Sequence, residues 1–471
     1  MRSSYQREFN FVKYLESVVE ADTIKYTGRV VAVRGLDIES EGPRSQIGEM
    51  CTIMLTDGSS ILAEVVGLNG KNVKLTAFGE TKGIEVGCEV IASGNVLQVP
   101  VGMSLIGRTI DATGKPCDDL GELVPETYYP AVASAPNPMT RKPINKRITT
   151  GVRAIDSLLT VGKGQRIGIF AGSGVGKSTL LGTIARNSDA DVNVIGLIGE
   201  RGREVLDFID LDLGKEGLKR SVVVVATGDQ PAICRVRAAY VCTAIAEYFR
   251  DKGKDVVLMI DNVTRFAKAQ QEIGTSNGEL PIKGGYPPSV FDMLPKLMER
   301  TGTNDKGSIT AFYNVLVDAD DMNEPITDAA RGILDGHIVL NRRLAMASHY
   351  PAIDVLASIS RLSNRVSGKQ TKKACGQIRE LMATYQDNAT MITSGIYEKG
   401  NSPVIDKAID KHEAIEEFLK QEIEEHCTME DTLNKLSQLA EIEIPEEEYS
   451  EQPGLIKSVE ESAEQKAVDS E

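Results

Sequence analysis

The sequence has few of the residues that build disulfide frameworks and metal centres. It contains seven cysteines, widely spaced and without a CxxC pair, and only four histidines. An odd, scattered set of cysteines is typical of reduced thiols in the cytoplasm and argues against a disulfide framework or a zinc site. We therefore expect a cytoplasmic protein whose chemistry does not rest on cysteine or histidine ligands.

Long hydrophobic segments are also missing from the sequence. No apolar run approaches the ~20 residues of a membrane-spanning helix. The first twenty residues, MRSSYQREFNFVKYLESVVE, scatter charges among apolar positions, which does not fit a signal peptide. Hydrophobic residues make up 41% of the chain, an ordinary value for a soluble globular protein. At 471 residues the chain is too long for one core, so we expect two or three domains.

Positive charge is in deficit. The formal net charge is −15, and residues 441–471 account for −9 of it, with eleven Asp and Glu against two Lys. A negative protein body argues against nucleic acid as the main ligand. The tail is rich in Glu and Ser and poor in large apolar residues, which predicts a disordered, solvated segment. A partner-binding segment is the alternative.

The hydrophobic pattern divides the chain into five segments. Residues 1–24 have apolar positions at helical spacing and predict an amphipathic helix, which either docks on a partner or packs on its own domain. Residues 25–95 consist of short β-rich runs broken by glycine, as in a small antiparallel barrel. Within 96–368, a Pro/Gly-rich connector precedes strands that alternate with helices, which predicts a mostly parallel sheet. Residues 369–440 are helical in composition, and the acidic tail of 441–471 follows. The apolar positions of the first segment are Phe9, Val12, Leu15, Val18 and Val19.

Residues 166–179, RIGIFAGSGVGKST, form a short apolar run that leads into a glycine-rich loop. Three glycines allow successive backbone N–H groups to point at one spot, and the helix that starts at Lys177 adds the positive end of its dipole. Lys177 can reach the β- and γ-phosphates of a nucleotide, and the Ser178 hydroxyl can ligate Mg²⁺. The segment therefore predicts a phosphate-binding P-loop.

One position of this loop departs from the usual pattern, because Ala171 stands where a glycine is common. Alanine fits there if its φ is negative. The alternative is a glycine-rich turn that binds nothing, but Lys-Ser directly after an apolar strand argues against it. The predicted nucleotide-binding residues of the loop are Gly172, Ser173, Gly174, Val175, Gly176, Lys177, Ser178 and Thr179.

Two carboxylates follow predicted strands, where ligands bind in sheets of this kind. Asp261 ends the apolar run VVLMI, and we assign it to the Mg²⁺ shell; the alternative is an N-cap for the next helix. Glu200 follows another buried run and could polarise the water that attacks the γ-phosphate. The alternative for Glu200 is a surface residue paired with Arg201 or Arg203.

Phosphoryl transfer develops charge that an arginine from a neighbouring chain can neutralise. Arg361 follows another apolar run, but spacing alone does not distinguish it from Arg342, Arg343 or Arg365. Tyr350, in the sequence HYP, could offer an aromatic face to a nucleotide base or could pack at a turn.

Taken together, these segments resemble the catalytic-subunit family of rotary ATPases and, within it, the flagellum-specific and type III secretion ATPases. The resemblance covers about residues 25–430. The GYPPSVF stretch looks like the secretion ATPases and differs from the ATP-synthase β-type sequence. The stretches that establish the resemblance are TTGVRAIDSLLTVGKGQRIGIFAGSGVGKSTLL (149–181), GERGRE (199–204), IDNVTRFA (260–267), GYPPSVFDMLPKLMERTG (285–302) and DDMNEPITDAARGILDGHIVLNRRLA (320–345).

The resemblance implies an N-terminal β-barrel, a central RecA-like ATPase domain and a C-terminal helical domain that faces the channel of a homohexameric ring. It implies an ATP hydrolase that uses Mg²⁺ and energises flagellar or type III protein export, releasing chaperones and feeding unfolded substrates to a membrane export gate. The implied partners are further copies of the chain, a stator-like protein at the N-terminus, a stalk protein, chaperones and substrates. The implied location is the cytoplasmic face of the membrane.

The resemblance also implies roles for single residues. Lys177 would bind phosphate, while Ser178 and Asp261 would serve Mg²⁺. Glu200 would be the catalytic base; non-catalytic ring subunits usually have Gln there, so its presence marks a catalytic chain. The family's phosphate-contacting arginines match Arg201 and Arg265, its arginine finger matches Arg361 in SISR, and its adenine-stacking aromatic matches Tyr350 in HYPAID.

Other interpretations remain open at this stage. A rotary ATP synthase subunit is disfavoured by the GYPPSVF stretch, and a hexameric RNA translocase by the single Tyr and single Phe within residues 25–95. A scaffold ring without nucleotide is opposed by the intact catalytic set. Gln271 and Gly284 replace basic residues expected from the family, although Lys283 could compensate. The amino-acid sequences of the N-terminal and P-loop segments resemble a flagellar system more than a virulence system.

Overall fold

The computed structural model of the protein describes residues 25–317 and 321–452. It forms two compact units, which meet in sequence between Val96 and Leu97. The predicted helix of residues 1–24 and residues 453–471 of the predicted tail lie outside the described residues. Within the described ranges, none of the helices is both long and apolar enough to cross a membrane.

The first unit is a closed barrel of six antiparallel strands in the order β1-β2-β5-β4-β3-β6. Side chains such as Val30, Ile53 and Leu75 are almost fully buried in it, as the alternating pattern of the strands requires. The small barrel predicted from the sequence is confirmed. Its strands are β1 (Thr27–Arg34), β2 (Asp37–Glu41), β3 (Glu49–Met54), β4 (Ser60–Asn69), β5 (Asn72–Ala77) and β6 (Glu89–Val96).

The second unit is built around a nine-stranded, mostly parallel sheet in the order β17-β16-β10-β15-β13-β11-β12-β8, with β14 beside β15. Only β17 and β14 run antiparallel to their neighbours within it. The predicted P-loop core is thereby confirmed, and the Pro/Gly-rich connector adds the edge strand β8. A separate two-stranded sheet is formed by β7 (Gln98–Val101) and β9 (Thr127–Pro130). The strands of the nine-stranded sheet are β8 (Thr109–Asp111), β10 (Arg166–Ala171), β11 (Val192–Ile198), β12 (Ser221–Ala226), β13 (Asp255–Asp261), β14 (Gly302–Thr303), β15 (Ser308–Leu316), β16 (Gly336–Leu340) and β17 (Ile353–Ser360).

Helices cover the sheet and form the C-terminal region of the same unit. Ile378, Phe418 and Leu433, from the last three helices, share one apolar core with strand residues such as Ile169 and Val355. The predicted helical C-terminal region is confirmed. The helices are α1 (Arg153–Leu158), α2 (Lys177–Asn187), α3 (Gly202–Asp207), α4 (Gly214–Leu218), α5 (Ala232–Asp251), α6 (Val263–Ser276), α7 (Pro288–Met298), α8 (Pro325–Ile333), α9 (Arg342–Met346), α10 (Ser363–Val366), α11 (Lys369–Thr393), α12 (Pro403–Leu419) and α13 (Met429–Ala440).

The disorder predicted for the tail is wrong for residues 441–452. Ile444 and Glu448 are buried there. The Glu448 carboxylate accepts hydrogen bonds from the backbone N–H groups of Gln370 and Thr371, at the start of α11. Acidic composition favours disorder only when the charges have no partners, and this carboxylate satisfies N–H groups at a helix start.

The two departures from the expected basic pattern have structural explanations. The Gln271 side chain donates a hydrogen bond of 2.7 Å to the carbonyl of Gly285. Gly284 has a φ of 57°, and a Cβ there would lie 2.5 Å from Pro325. Because this backbone conformation favours glycine, a basic side chain at position 284 would need local rearrangement. Lys283 instead pairs with Asp328 at 3.2 Å.

Candidate active site

The glycine-rich loop connects β10 to α2 at the carboxyl edge of the sheet. Gly174 and Gly176 have φ values of 77° and 87°, which a residue with a side chain rarely adopts. Ala171 still belongs to β10, is buried, and is not among the residues with positive φ, so alanine is tolerated there. Val175 is 1% exposed and its side chain packs in the core, so only its backbone can contribute to binding by the loop.

Asp261 and Lys177 lie side by side at the end of β13. The Lys177 Nζ is 2.7 Å from Asp261 Oδ1, and the Asn314 side chain donates a hydrogen bond of 2.7 Å to the same oxygen. Asp261 is 2% exposed. Its alternative role as a helix cap is wrong, because the side chain of Asn262 accepts from the N–H of Arg265 and caps α6.

Glu200 reaches the same lysine from the loop after β11. Its Oε1 lies 3.5 Å from Lys177 Nζ and accepts a hydrogen bond of 2.8 Å from the Asn262 side chain. The surface pairs considered as an alternative are wrong, because Arg201 pairs with Glu204, and Arg203 with Asp207. Three residues far apart in sequence therefore meet beside the loop.

The electrostatics of the cluster couple its members. Burial raises the pKa of Glu200, and the charge of Asp261 raises it further, while Lys177 opposes both effects. Burial lowers the pKa of Lys177, but the two carboxylates outweigh it, so this pKa lies above its ordinary value. The proton affinity of Glu200 is therefore increased, a property of groups that handle protons in reactions.

The cluster opens into a cavity of about 760 Å³. Arg201 and Arg265 are the arginines that line it among the described residues, and Lys268 lines it together with Lys177. The Arg201 side chain is 83% exposed, so it lies at the rim. The predicted site residues that line this cavity are Gly172, Ser173, Gly174, Gly176, Lys177, Ser178, Thr179, Glu200, Arg201, Asp261 and Arg265.

A second cavity of about 490 Å³ adjoins the loop and is lined by Tyr350. Gly176 and Thr179 line both cavities. The Tyr350 ring lies 3.4 Å from the position that a Cβ on Gly176 would occupy. Tyr350 is 45% exposed as a residue and lines this cavity, so part of its surface is accessible to a ligand there.

Arg361 lies at the opposite edge of the sheet from the loop. It follows β17, whose last residue, Ser360, pairs with Gly336 at the first position of β16. The P-loop follows the last residue of β10, Ala171, which pairs with the last residue of β16. The five-residue strand β16 separates these two levels by about 15 Å, and the Arg361 guanidinium donates to the carbonyl of Arg331, so Arg361 does not line the phosphate cavity of its own chain.

The sequence matches three families of domains. Residues 30–94 match the ATP synthase alpha/beta family, beta-barrel domain, and residues 151–360 match its nucleotide-binding domain. Residues 367–438 match the T3SS EscN ATPase C-terminal domain. The C-terminal match separates the secretion ATPases from the ATP synthase subunits.

Whole-chain similarities give the same assignment. A flagellum-specific ATP synthase of Treponema pallidum is 54% identical, covering 92% of this chain and 97% of its own length. A type 3 secretion system ATPase of Xanthomonas euvesicatoria is 48% identical, covering 88% and 94%. The chain belongs to the family of flagellum-specific and type III secretion ATPases.

A solved structure from this family has the same fold. The assembled ATPase EscN, in complex with its central stalk EscO from the enteropathogenic E. coli type III secretion system, matches with a TM-score of 0.82 at 42% identity. The match covers 88% of this chain and 100% of that chain. This export-family ATPase is accordingly a P-loop enzyme, and the rotary ATP synthase interpretation is not favoured.

Sequence reasoning missed residues that hold the site of this ATPase in place. Asn262 orients Glu200, and Asn314 orients Asp261. Asn314 could have been noticed as a polar residue near the end of the apolar strand SITAFYNVL. Glu204 also lines the phosphate cavity, and a hydrogen bond from Glu200 lowers the pKa of Glu204.

Proposed function

We propose that this chain hydrolyses ATP to energise flagellar protein export by a type III apparatus, releasing chaperones and feeding unfolded substrates to the membrane export gate. The convergence of Lys177, Asp261 and Glu200 at one cavity beside the P-loop is the observation that supports hydrolysis. The export role rests on the family to which the chain belongs.

The phosphates of ATP would bind to the loop N–H groups and to Lys177. An incoming phosphate competes with both carboxylates for the lysine, so binding would release Glu200 to orient a water molecule for attack on the γ-phosphate. The Glu200 oxygen is already held by Asn262, which restricts where that water can be placed. Arg201 and Arg265 would neutralise charge on the phosphates from the cavity rim.

The oxygen donors beside the loop suit a magnesium ion. Mg²⁺ prefers carboxylate and hydroxyl oxygens together with phosphates, and both Asp261 and Ser178 line the phosphate cavity. These two residues would hold the ion. When bound, Mg²⁺ supplies neutralisation of the phosphate charge.

The second cavity would take the adenine base. Tyr350 offers an exposed ring face beside Gly176, and aromatic faces stack favourably on bases. The ribose would then span the distance between the two cavities, which share Thr179 and Gly176.

The position of Arg361 favours an oligomer in which each site is completed by a neighbour. Arg361 is exposed and distant from its own P-loop, so only another copy could present it to a γ-phosphate. We propose a hexameric ring with a stalk protein in its channel; the structure of assembled EscN in complex with its central stalk EscO supports an assembly with a stalk. A stator-like partner would bind residues 1–24, and the ring would act at the cytoplasmic face of the membrane.

The variant Glu200→Gln tests the proposal with the purified protein and in living cells. It should bind MgATP nearly normally but hydrolyse it roughly 10²–10⁴-fold more slowly, because the amide cannot act as a base. Cells that carry only this variant should release far less filament protein into the medium and swim poorly. The control is Glu216→Gln, which breaks a surface pair with Lys219. Unchanged hydrolysis would refute the catalytic role, and unchanged filament release despite lost hydrolysis would refute the flagellar export role.

A further inference from the structure

The outer wall of the base cavity is formed by a turn of the C-terminal region. Residues 420–423 follow α12 and line the cavity opposite the P-loop helix. The turn is bonded to the nucleotide-binding core at several points: Arg153 donates to the carbonyls of Phe418 and Lys420, and Arg186 donates to the carbonyl of Ile423. Since Arg186 lies on α2, the helix that follows the P-loop also holds this wall.

Gln421 connects the turn both to Tyr350 and to the residues at the start of α1. Its backbone N–H donates a hydrogen bond of 2.9 Å to the carbonyl of Tyr350. Its side-chain oxygen accepts from the N–H of Arg153 at 2.9 Å, and its side-chain amide donates to the carbonyl of Gly151 at 2.8 Å. The side chain is thus fixed at both ends, and the residue is 9% exposed.

A second contact joins the same tyrosine segment to α12. His349, next to Tyr350, is 3% exposed, and its Nε2 lies 3.4 Å from a carboxylate oxygen of Glu416. Glu416 lies on α12, one turn before the wall begins. The backbone on both sides of the tyrosine ring is therefore held by the C-terminal region.

We propose that Gln421 is a positioning residue for the base, holding Tyr350 at its stacking distance from the P-loop, with the His349–Glu416 contact as a second support. Such support is needed because Tyr350 is 45% exposed, so burial alone does not fix its position. The C-terminal helices would thereby set the affinity for the base while leaving the phosphate site unchanged. This inference rests on the proposed role of Tyr350 in binding adenine.

The test compares ATP with ribose 5′-triphosphate, which has the phosphates but no base. Gln421→Ala removes the side-chain hydrogen bonds to Arg153, Gly151 and Glu425 that fix the turn, while the backbone N–H that bonds to Tyr350 remains. Because the turn is then less firmly held, the KM for ATP should rise roughly two- to tenfold, and kcat/KM for ribose triphosphate should stay unchanged. A matched control is Gln377→Ala, since the Gln377 amide also donates to a backbone carbonyl, that of Ala440, but outside the base cavity. If Gln421→Ala does not fold, Gln421→Glu keeps the volume, removes the amide donor and places a carboxylate against the carbonyls of Gly151 and Glu425.

Two further variants separate the possible outcomes. Glu416→Gln, which does not line the base cavity, should shift the ATP preference in the same direction by a smaller factor. Tyr350→Ala should abolish the preference for ATP over ribose triphosphate; if it does not, the proposed base site is wrong. If Tyr350→Ala abolishes the preference but the Gln421 variants lower both substrates equally, Gln421 is merely structural and the inference is overturned.

Discussion

The phosphate cavity and the base cavity share the P-loop but are built in different ways. The phosphate cavity is formed by loops that end neighbouring strands of one sheet, and Lys177, Asp261 and Glu200 are largely buried there and contact each other. The base cavity is formed by Tyr350 and by a turn that lies seventy residues further along the chain. Charge chemistry therefore rests on the rigid sheet, while base binding depends on how the C-terminal helices pack.

This difference separates the binding of the base from the chemistry at the phosphates. Residues at strand ends are fixed by the sheet ladder, which suits groups that must hold a reacting phosphate in a defined geometry. A site between separately packed segments can change its shape when one of them shifts. The predictions below test whether the two cavities respond independently, as this construction requires.

The largest effect is expected from Lys177→Ala. Hydrolysis should fall to background, because the variant removes the cation that pairs with both carboxylates and would bind the phosphates. ATP binding, measured by calorimetry, should weaken towards the affinity of adenosine, while adenosine binding itself should remain unchanged. The surface variant Lys219→Ala is the control. A parallel loss of adenosine binding would show that the two cavities are not independent.

Arg361→Ala should lower turnover roughly 10³–10⁵-fold while leaving ATP binding intact, because the guanidinium acts on the charge that develops during transfer. The measurement is phosphate release as a function of protein concentration, which should rise faster than linearly for the natural chain as rings assemble. Mixing Arg361→Ala with Lys177→Ala chains should restore some activity, since one junction can combine an intact loop with an intact arginine. Activity proportional to concentration, with no rescue, would contradict a role in trans.

The pH dependence of hydrolysis should report Glu200. Its pKa is raised by burial and by the charge of Asp261, so the carboxylate gains its proton at a pH above the ordinary value of 4.5. Below that raised pKa the base is protonated, and kcat/KM should fall about tenfold per pH unit. Glu200→Gln should lack this acid limb. A limb that persists in Glu200→Gln, or a midpoint at or below 4.5, would assign the titration to another group.

The sequence predicts the phosphate cavity better than the base cavity for a physical reason. Lys177, Asp261 and Glu200 each follow an apolar strand, and strand ends of a parallel sheet meet at one edge whatever the rest of the fold does. Gln421 has no such local signal, and Asn314 shows only that a polar residue lies near the end of an apolar strand. Their positions follow from the register of β15 against β13 and from the packing of α12, which a single sequence pattern does not reveal.

The tail shows the same limit of reasoning from composition. Residues 441–452 are acidic, and composition alone favours disorder, yet Glu448 finds a helix start that lacks hydrogen-bond acceptors. Likewise, the choice between Arg361 and its neighbours depends on strand direction. Arg342 follows the carboxyl end of β16, at the P-loop edge, whereas Arg361 follows the end of an antiparallel strand at the opposite edge.

The smallest effect is expected at the start of α11, where Glu448 lines neither cavity. Glu448 accepts hydrogen bonds from Gln370 and from the N–H and hydroxyl of Thr371, while its carbonyl accepts from Arg147. Glu448→Ala keeps the backbone carbonyl that accepts from Arg147 but removes the carboxylate. The donors of Gln370 and Thr371 at the start of α11 are then unpaired, so the free energy of unfolding should fall by about 1–3 kcal/mol. Thermal unfolding should shift down by a few degrees, whereas Glu447→Ala, at an exposed position, should not shift it. The KM for ATP should stay the same in both variants, because neither residue lines either cavity. A raised KM for ATP in Glu448→Ala would mean that the start of α11 also affects the base cavity. The contacts of Glu448 could then not be regarded as purely structural.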